Sequence, residues 1–368
     1  MDWNADTPLC DAAREAMLEV WALGALNPSS AHAFGQKARA VIEDARGRMA
    51  ALLNCRAEDI VFTGSGTEAD NMAVKGAPVE RFIVSFMEHP AVVKPAKITG
   101  MPVTFLEVDE NGVIDLAALE RHLRGGGGKA LVCVMFASNE TGVLQPVREA
   151  ARIAHEHGAL ILCDAIQGAG KADVDFAALE VDMLAISAHK FGGPQGAGAL
   201  VIREGAGLEP LITGGGQERK RRAGTENVAG IAGMAAALES ALEGRAEKES
   251  HISALRAKLE SGLKERAPDA VIFSEGAPRL ANTTFFAHPV MDAQTALMAF
   301  DLDGVALSAG SACHSGRAEV SRALKGMGVN GDLARRALRV SLGPANTHDD
   351  IERFLNSFGR QLARLNAA

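Results

Sequence analysis

A lysine at the end of a short apolar segment is the first residue whose position suggests chemistry. Residues 181–186 are apolar apart from Asp182 and are too few for a typical helix, so they predict a buried strand that runs into Ser187, His189 and Lys190. An amine beside a low-dielectric core loses its proton more readily, and a neutral amine can form a Schiff base. Taken alone, Lys190 also fits an ordinary surface lysine in a loop.

A carboxylate follows the preceding apolar segment. Residues 158–163 predict another buried strand, which ends at Asp164. The carboxyl ends of parallel strands meet at one edge of an α/β sheet, where ligands bind. A Schiff-base lysine and a carboxylate that pairs with a pyridinium nitrogen are the combination that pyridoxal 5'-phosphate (PLP) requires. Together Lys190 and Asp164 predict a PLP-binding protein.

Two more strand ends add candidate groups. The strand predicted at residues 60–63 leads into Gly64-Ser65-Gly66, and a helix is predicted to begin at about Thr67. Such a turn aims backbone N–H groups at a phosphate, although it is also common as a tight turn without a ligand. His89 follows the strand predicted at residues 81–86 and is placed to stack on a flat ring, whereas most single histidines are structural.

Composition excludes several classes of protein. The chain has 368 residues and a formal net charge of −8, which argues against nucleic-acid binding. The basic segment at residues 219–222 is short and lies beside a Gly-rich turn, so it fits a solvated or anion-facing loop. No run approaches the roughly 18 apolar residues of a membrane helix, and the first residues lack a signal-peptide pattern.

The five cysteines are odd in number and contain no C-x-x-C pair. We therefore expect neither a disulfide framework nor a metal site, and a reducing cytoplasm is the expected compartment. Cys133 and Cys163 lie in apolar segments and are predicted to be inert. Cys313 lies in the small-residue segment 308–316, which predicts a mobile loop and an exposed candidate nucleophile, although an isolated loop cysteine often has no catalytic role.

The order of the segments predicts two domains. Strands alternate with helices up to about residue 242, which indicates an α/β layered domain. A charged helical segment at residues 243–267 marks the crossover into a second domain. We predict an N-terminal arm at residues 1–15 packed with the small domain, a large cofactor-binding domain at 16–245, and a small domain with the Cys313 loop at 246–368.

Nine short motifs distributed along almost the whole chain carry a resemblance to a known family. They are Asn27-Pro28-Ser29-Ser30, residues 63–71, Glu88-His89-Pro90, Asn139-Glu140-Thr141-Gly142, Asp164-Ala165-Ile166-Gln167, residues 187–190, Ala223-Gly224-Thr225, Gly310-Ser311-Ala312-Cys313 and residues 339–343. With these motifs the chain resembles the cysteine desulfurases, PLP enzymes of the class V aminotransferase group. The resemblance implies a fold-type I PLP-dependent transferase. Its α/β architecture has a large, mainly parallel sheet flanked by helices and a smaller α+β domain.

The resemblance also implies roles for the residues around the cofactor ring. Lys190 would bind PLP covalently and later move the substrate α-proton. Asp164 would pair with the pyridinium nitrogen, and His89 would stack on the ring and take part in catalysis. Gln167 would donate a hydrogen bond to the phenolic oxygen, with Asn139 close by.

Further roles concern the phosphate, the substrate and a second subunit. The implied phosphate ligands are Gly66, Thr67, Ser187 and His189. Thr225 would reach the phosphate of a neighbouring subunit, which implies a homodimer. Asn27 and Arg339 would bind the substrate carboxylate, for which the planar guanidinium is well suited.

The implied reaction converts L-cysteine to L-alanine. The Cys313 thiolate would attack the substrate sulfur and keep it as a persulfide for a sulfur-acceptor or iron–sulfur cluster scaffold protein. Two other PLP activities are alternatives, namely selenocysteine lyase and class V aminotransferase. A third alternative, of a different class, is a non-catalytic paralogue that only binds a partner in sulfur transfer.

The chain departs from the pattern of this family at several positions. Asp6 and Ser138 stand where the family usually has a small residue and an Asn, and residues 192–195 read Gly-Gly-Pro-Gln in place of Tyr-Gly-Pro-Lys. Val320 replaces a usual proline. None of these departures changes a residue with an implied catalytic role.

Overall fold

A computed structural model of the chain describes residues 1–310 and 320–367. Within them, one sheet contains seven strands in the order β1-β7-β6-β5-β4-β2-β3. Their bounds are β1 Ile60–Thr63, β2 Arg81–Ser85, β3 Val103–Leu106, β4 Ala130–Cys133, β5 Leu160–Asp164, β6 Met183–Ser187 and β7 Gly198–Ile202. Strands β2 to β6 pair in parallel, whereas β7 is antiparallel to both β1 and β6.

This sheet is apolar on both faces because helices cover both. In β5, Ile161 and Cys163 belong to one apolar core, while Leu160 and Leu162 belong to the core on the opposite face. A strand buried on both faces needs an uninterrupted apolar sequence, which is why these strands are readable from the sequence. The helices of this region are α1 Asp11–Ala22, α2 Ala33–Leu53, α3 Gly66–Gly76, α4 Pro90–Ile98, α5 Leu116–Gly125, α6 Val147–Glu156, α7 Phe176–Leu179 and α8 Val228–Leu242.

A smaller antiparallel sheet follows in the chain. Its strands lie in the order β10-β11-β9-β8, with the bounds β8 Val271–Ile272, β9 Thr283–Ala287, β10 Ser308–Ala309 and β11 Ala337–Ser341. The remaining helices are α9 Arg245–Arg266, α10 Ala293–Leu302, α11 Arg322–Gly326, α12 Gly331–Ala334 and α13 His348–Ala367. Apolar side chains of α9, α10 and α13 share a separate core with this sheet. The predicted α/β class and the mainly parallel sheet are confirmed.

Besides shifts of one or two residues at strand ends, the structure differs from the sequence-based boundaries near the N-terminus and at the start of the predicted Cys313 loop. Helix α1 begins at Asp11, so the last five residues of the predicted arm 1–15 are helical. Ser308 and Ala309, at the start of the predicted loop, form strand β10. Most of that loop, including Cys313, lies outside the described residues. The domain boundary near residue 245 stays a prediction, and α9 begins at Arg245.

The N-terminal residues connect the two sheets. Asp2 forms a parallel bridge with Ser341 at the end of β11. Farther along, the backbone N–H of Thr7 donates to the carbonyl of His189 (3.0 Å) and that of Cys10 to Gly192 (2.9 Å). This segment therefore passes directly beside the Lys190 turn.

Among residues 1–310 and 320–367, no helix is both long enough and apolar enough to span a membrane.

Candidate active site

A cavity of about 500 Å³ lies where β2, β4, β5 and β6 end. Parallel strands present the residues after their carboxyl ends on one edge, and this edge faces β11 of the smaller sheet. Ten of the thirteen predicted site residues line the cavity: Gly66, Thr67, His89, Asn139, Asp164, Gln167, Ser187, His189, Lys190 and Arg339. The sequence pattern thus located most of the candidate site.

Lys190 is held by the N-terminal segment. Its Nζ donates hydrogen bonds to the carbonyl oxygens of Asn4 (2.8 Å) and Ala5 (2.6 Å). The lysine lies in the turn after β6, and its side chain lines the cavity. A primary amine at this place can form a Schiff base with a carbonyl compound inside the cavity.

Asp164 is the last residue of β5, and only 6% of it is exposed. Burial raises the pKa of its carboxyl to about 6, while the Ile166 N–H and the Lys190 charge act in the opposite direction. The Ile166 N–H donates to Oδ1 at 2.9 Å. A buried carboxylate of this kind is stabilised by a nearby cation, and the protonated ring nitrogen of PLP is one that fits.

His89 presents a neutral imidazole to the cavity. Its Nδ1 accepts a hydrogen bond from the Ala91 N–H (3.1 Å) at the start of α4, which leaves the proton of the neutral ring on Nε2. Burial, helped by the charges of Lys190 and Arg322, lowers the pKa of His89 to about 4. An uncharged flat ring is suited to stacking on an aromatic cofactor.

The turn between β1 and α3 matches the predicted phosphate cradle. Helix α3 begins at Gly66, and the Ser65 hydroxyl accepts a hydrogen bond from the Glu68 N–H (3.1 Å). The Gly66 N–H donates to Ser187 Oγ at 3.3 Å. A Cβ atom on Gly66 would lie 2.3 Å from Ile166 Cδ1 and 3.0 Å from Ser187 Cβ, so a larger residue here would force the Ile166 side chain to move. Backbone N–H groups at a helix start favour an anion.

The amine, the buried carboxylate, the neutral imidazole and the helix N-terminus line one cavity, and together they fit PLP. In that arrangement Lys190 would hold the cofactor, Asp164 its ring nitrogen, and the Gly66–Thr67 turn its phosphate.

Arg339 enters the cavity from β11. Its side chain is 8% exposed, and one guanidinium nitrogen donates to the Asn139 carbonyl at 2.9 Å. A second nitrogen forms an ion pair with Asp2 Oδ1 at 2.8 Å. The guanidinium is thus placed to bind a carboxylate, and in this structure Asp2 supplies one.

Several residues of the site were not predicted from the sequence. The buried Asn4 donates to Thr283 Oγ1 (2.9 Å) and to the Asn139 carbonyl (3.2 Å). Gln167, predicted to bind the phenolic oxygen of PLP, donates to the Asn4 carbonyl at 2.9 Å and accepts from Lys171 Nζ at 2.6 Å. These partners lie far apart in the chain, and no local pattern pointed to them.

Lys171 and Asp70 are ionisable groups close to the cavity that the sequence did not single out. Burial, aided by Lys190 and Arg339, lowers the pKa of Lys171 to about 7. Asp70 is fully buried, and burial together with Asp164 and Glu88 raises the pKa of its carboxyl well above the usual value. Neither carboxylate oxygen of Asp70 has a hydrogen-bond partner in the described part of the chain. A neutral carboxylic acid at this position is the form that burial favours.

Two of the departures from the family pattern contact each other. Gln195 Nε2 donates to Asp6 Oδ2 at 2.7 Å, and Asp6 Oδ1 lies 3.0 Å from His189 Nδ1. Burial lowers the pKa of His189, and the Asp6 carboxylate opposes this effect. Asp6 and Gln195 therefore act on a residue that lines the cavity.

Two of the predicted site residues that the structure describes, Asn27 and Thr225, do not line this cavity. Asn27 is exposed, and its Oδ1 accepts a hydrogen bond from the Ser29 N–H (2.9 Å). Thr225 is exposed as well. Cys313 lies outside the described residues. The roles of these three residues stay predictions.

Comparison with known proteins agrees with the geometry of the site. A model of the family described as aminotransferase class-V matches residues 1–354. Cysteine desulfurase IscS of Dictyoglomus turgidum is 37% identical, with 99% of this chain and 94% of the relative covered. For the cysteine desulfurase of Gluconacetobacter diazotrophicus the identity is 39%, with coverage of 99% and 93%.

Solved structures show the same likeness. A NifS-like protein from Rickettsia africae has a TM-score of 0.91 at 34% identity, with 98% of each chain covered. The apo cysteine desulfurase from Thermococcus onnurineus has a TM-score of 0.85 at 26% identity, with coverage of 98% of this chain and 94% of that one. The predicted resemblance is confirmed, and with it the dependence on PLP. The chain belongs to the aminotransferase class-V family and, within it, to the PLP-dependent cysteine desulfurases.

Proposed function

We propose that this protein converts L-cysteine to L-alanine and retains the sulfur as a persulfide on Cys313. The observation that carries the proposal is the single cavity in which Lys190, Asp164 and Arg339 meet. These groups supply an amine for PLP, a partner for its ring nitrogen and a guanidinium for a substrate carboxylate. The desulfurase relatives support the same reaction.

Each side chain has a distinct task in this reaction. When bound, PLP supplies an electron-withdrawing ring that stabilises negative charge at the substrate α-carbon. Asp164 would pair in its ionised form with the ring nitrogen and so keep that nitrogen protonated. Lys190 Nζ takes the proton from the α-carbon and serves as the general acid–base of the site. Arg339 binds and orients the substrate carboxylate.

The sulfur step balances without an external oxidant. The Cys313 thiolate forms a bond to the substrate sulfur, and the bond between that sulfur and the substrate β-carbon breaks. The β-carbon gains a proton and becomes the methyl group of L-alanine. L-cysteine and the Cys313 thiol are thus converted to L-alanine and a Cys313 persulfide.

The alternatives receive less support. Selenocysteine lyase and aminotransferase activities would use the same cavity, but the relatives compared above are named for desulfurase or NifS-like proteins. A paralogue that only binds partners would have no need for Lys190, Asp164 and Arg339 together in one cavity.

The proposal includes a homodimer and a cytoplasmic sulfur-acceptor or cluster-scaffold protein. Large apolar side chains on α1 and at the start of α2 are exposed, with Leu18 at 54%, Trp21 at 60% and Phe34 at 55%, and such a surface favours an interface. Cys10, Cys55, Cys133 and Cys163 are free thiols, which suits a reducing compartment. Sedimentation equilibrium tests the dimer directly.

The experiment that tests the catalytic proposal compares Lys190→Ala with wild type. Wild-type protein loaded with PLP should be yellow and should release alanine from L-cysteine. The variant should lose alanine formation by about 10³-fold or more, because its general acid–base and its Schiff-base amine are both absent. Lys37→Ala, at an exposed position of α2, is the matched control and should retain full activity. Full activity of Lys190→Ala would refute the proposal.

A further inference from the structure

The arginine expected to bind the substrate carboxylate already holds a carboxylate of its own chain. Arg339 forms the 2.8 Å ion pair with Asp2, and both residues line the cavity that contains Lys190. The second oxygen of the Asp2 carboxylate accepts a hydrogen bond from the Ser308 hydroxyl at 2.8 Å. An arginine and a hydroxyl thus engage the two oxygens of Asp2 in the way in which a bound carboxylate ligand is held.

The backbone keeps Asp2 at this position. The Trp3 N–H donates to the Ser341 carbonyl (3.2 Å), and the Ser341 N–H donates to the Met1 carbonyl (3.0 Å). These bonds pair residues 1–3 with Ser341 at the end of β11, so that Asp2 lies close to Arg339. The Asp2 side chain keeps 24% of its surface exposed, which leaves it room to rotate without breaking the backbone bonds.

Arg339 already uses two of its five N–H donors on groups of its own chain. One terminal nitrogen is occupied by the Asn139 carbonyl and the other by Asp2. Its Nε is buried without a hydrogen-bond partner among the described residues. Two carboxylates on one guanidinium would also repel each other at short range in a partly buried site. An incoming carboxylate therefore has to displace that of Asp2.

We propose that Asp2 is a specificity-determining residue that occupies the substrate-carboxylate position of Arg339 and competes with α-amino acids for it. This inference rests on the proposed function, because it takes Arg339 as the carboxylate site of that reaction. Asp2 lowers the affinity for any amino acid that needs Arg339 and leaves the chemistry at Lys190 unchanged. Removal of its charge should tighten substrate binding.

The test measures the affinity of the PLP-loaded protein for L-alanine, the reaction product, by titration calorimetry. In Asp2→Asn the dissociation constant should fall about tenfold, which corresponds to ~1.4 kcal/mol, the strength expected of a charged contact in a partly buried site. The KM for L-cysteine should fall by a similar factor. The kcat should stay within about twofold of the wild-type value, because the contact between Asp2 and Arg339 does not involve the reacting atoms. Asp11→Asn, an exposed acid of α1, is the matched control and should change neither constant.

A second Asp2 variant and an Arg339 variant show whether a change in L-alanine affinity comes from the Asp2–Arg339 contact. Asp2→Ala removes the side chain, and it should tighten L-alanine binding at least as much as Asp2→Asn, with folding checked by the melting temperature. In an Arg339→Gln background the effect of Asp2→Asn should vanish, because the competition passes through that guanidinium. Unchanged or weaker L-alanine binding in both folded Asp2 variants would overturn the inference.

The two proposals fail in different ways. If Asp2→Asn tightens L-alanine binding but the protein releases no alanine from L-cysteine, the competition stands and the desulfurase function falls. If the protein is an active desulfurase and both Asp2 variants bind L-alanine with wild-type affinity, the proposed function stands and the proposed competition by Asp2 is refuted.

Discussion

His89, Asp164 and Lys171 lie in or beside one cavity, and burial moves the pKa of each towards the neutral form of the group. The pKa falls to about 4 for His89, rises to about 6 for Asp164 and falls to about 7 for Lys171. Desolvation is the largest cause for all three because a charged group loses more hydration than a neutral one. A cationic ligand bound next to Asp164 would therefore stabilise the ionised form of its carboxyl.

Glu140 shows the same effect and gives a test of it. The Ser321 hydroxyl donates to Glu140 Oε2, and burial raises the pKa of the carboxyl from 4.5 to about 7. A raised pKa in the folded state means that the folded protein binds the proton more tightly, so stability should decrease as the pH rises from about 4.5 to 7. In Glu140→Gln that part of the decrease, about 1–3 kcal/mol, should be absent.

Melting temperatures measured across this pH range would check the prediction. Glu15→Gln, at an exposed position of α1, is the matched control and should keep the wild-type slope. A Glu140→Gln protein with the wild-type slope would show that folding does not raise the pKa of this carboxyl.

Residues at the ends of apolar strands were predictable, and residues placed by long-range contacts were not. Asp164 and Lys190 follow directly after strands whose sequences are apolar on both faces, so their position at the sheet edge could be inferred. Asn4 is instead held at the site by a hydrogen bond to Thr283, which lies 279 residues away in the chain. A contact at such a separation leaves no periodic signal in the sequence.

Among the secondary-structure elements, the packing of β7 against the turn that starts α3 sets the shape of the predicted phosphate cradle. Gly198 begins β7, and a Cβ atom there would lie 2.6 Å from the Ser65 carbonyl carbon and 3.0 Å from the Gly66 nitrogen. These are backbone atoms, so relief of the overlap must move the turn itself. Because Gly198 has no side chain, β7 can pack directly against the turn that forms the predicted phosphate cradle.

Gly198→Ala should weaken PLP binding by about tenfold and destabilise the fold by about 1–3 kcal/mol, since overpacking displaces the turn. Fluorescence titration of the apoprotein with PLP and denaturant unfolding measure the two effects. Gly47→Ala is the matched control, because Gly47 lies in α2 with no atom within 4 Å of its added Cβ, and alanine favours a helix. Wild-type PLP affinity in Gly198→Ala would contradict this role of β7.

The elements that escaped sequence analysis have weak or contrary local signals. Helix α4 begins at Pro90 and contains Pro95, a residue that usually ends a helix, so its pattern did not indicate one. Strand β10 has two residues, too few for a recognisable alternation. Tertiary packing, and not local propensity, forms these elements.

In the molecule as a whole, the N-terminal segment connects the cofactor edge of the large sheet to the small sheet. Asn4 accepts hydrogen bonds from Lys190 and Gln167 on one side and contacts Thr283 of β9 on the other. Asp2 adds the ion pair to Arg339. The sequence predicted an arm at this end, but its position across the site follows from pairing between the two ends of the chain.

The family membership agrees with this architecture, because the relatives match both sheets and the segments between them. The match to the NifS-like structure covers 98% of the chain. Two acids near the site, Asp2 and Asp6, contact Arg339 and His189.

The transfer of substrate sulfur to Cys313 is the claim most directly open to measurement. PLP-loaded protein should be incubated with L-cysteine and digested with a protease. The mass of the peptide that contains Cys313 is then measured by mass spectrometry, and the alanine released is quantified. We predict a peptide heavier by one sulfur atom and alanine formed in equal amount during the first turnover, with both lost in Cys313→Ser. Alanine release at the wild-type rate from Cys313→Ser, or a keto acid in place of alanine, would contradict the proposed function.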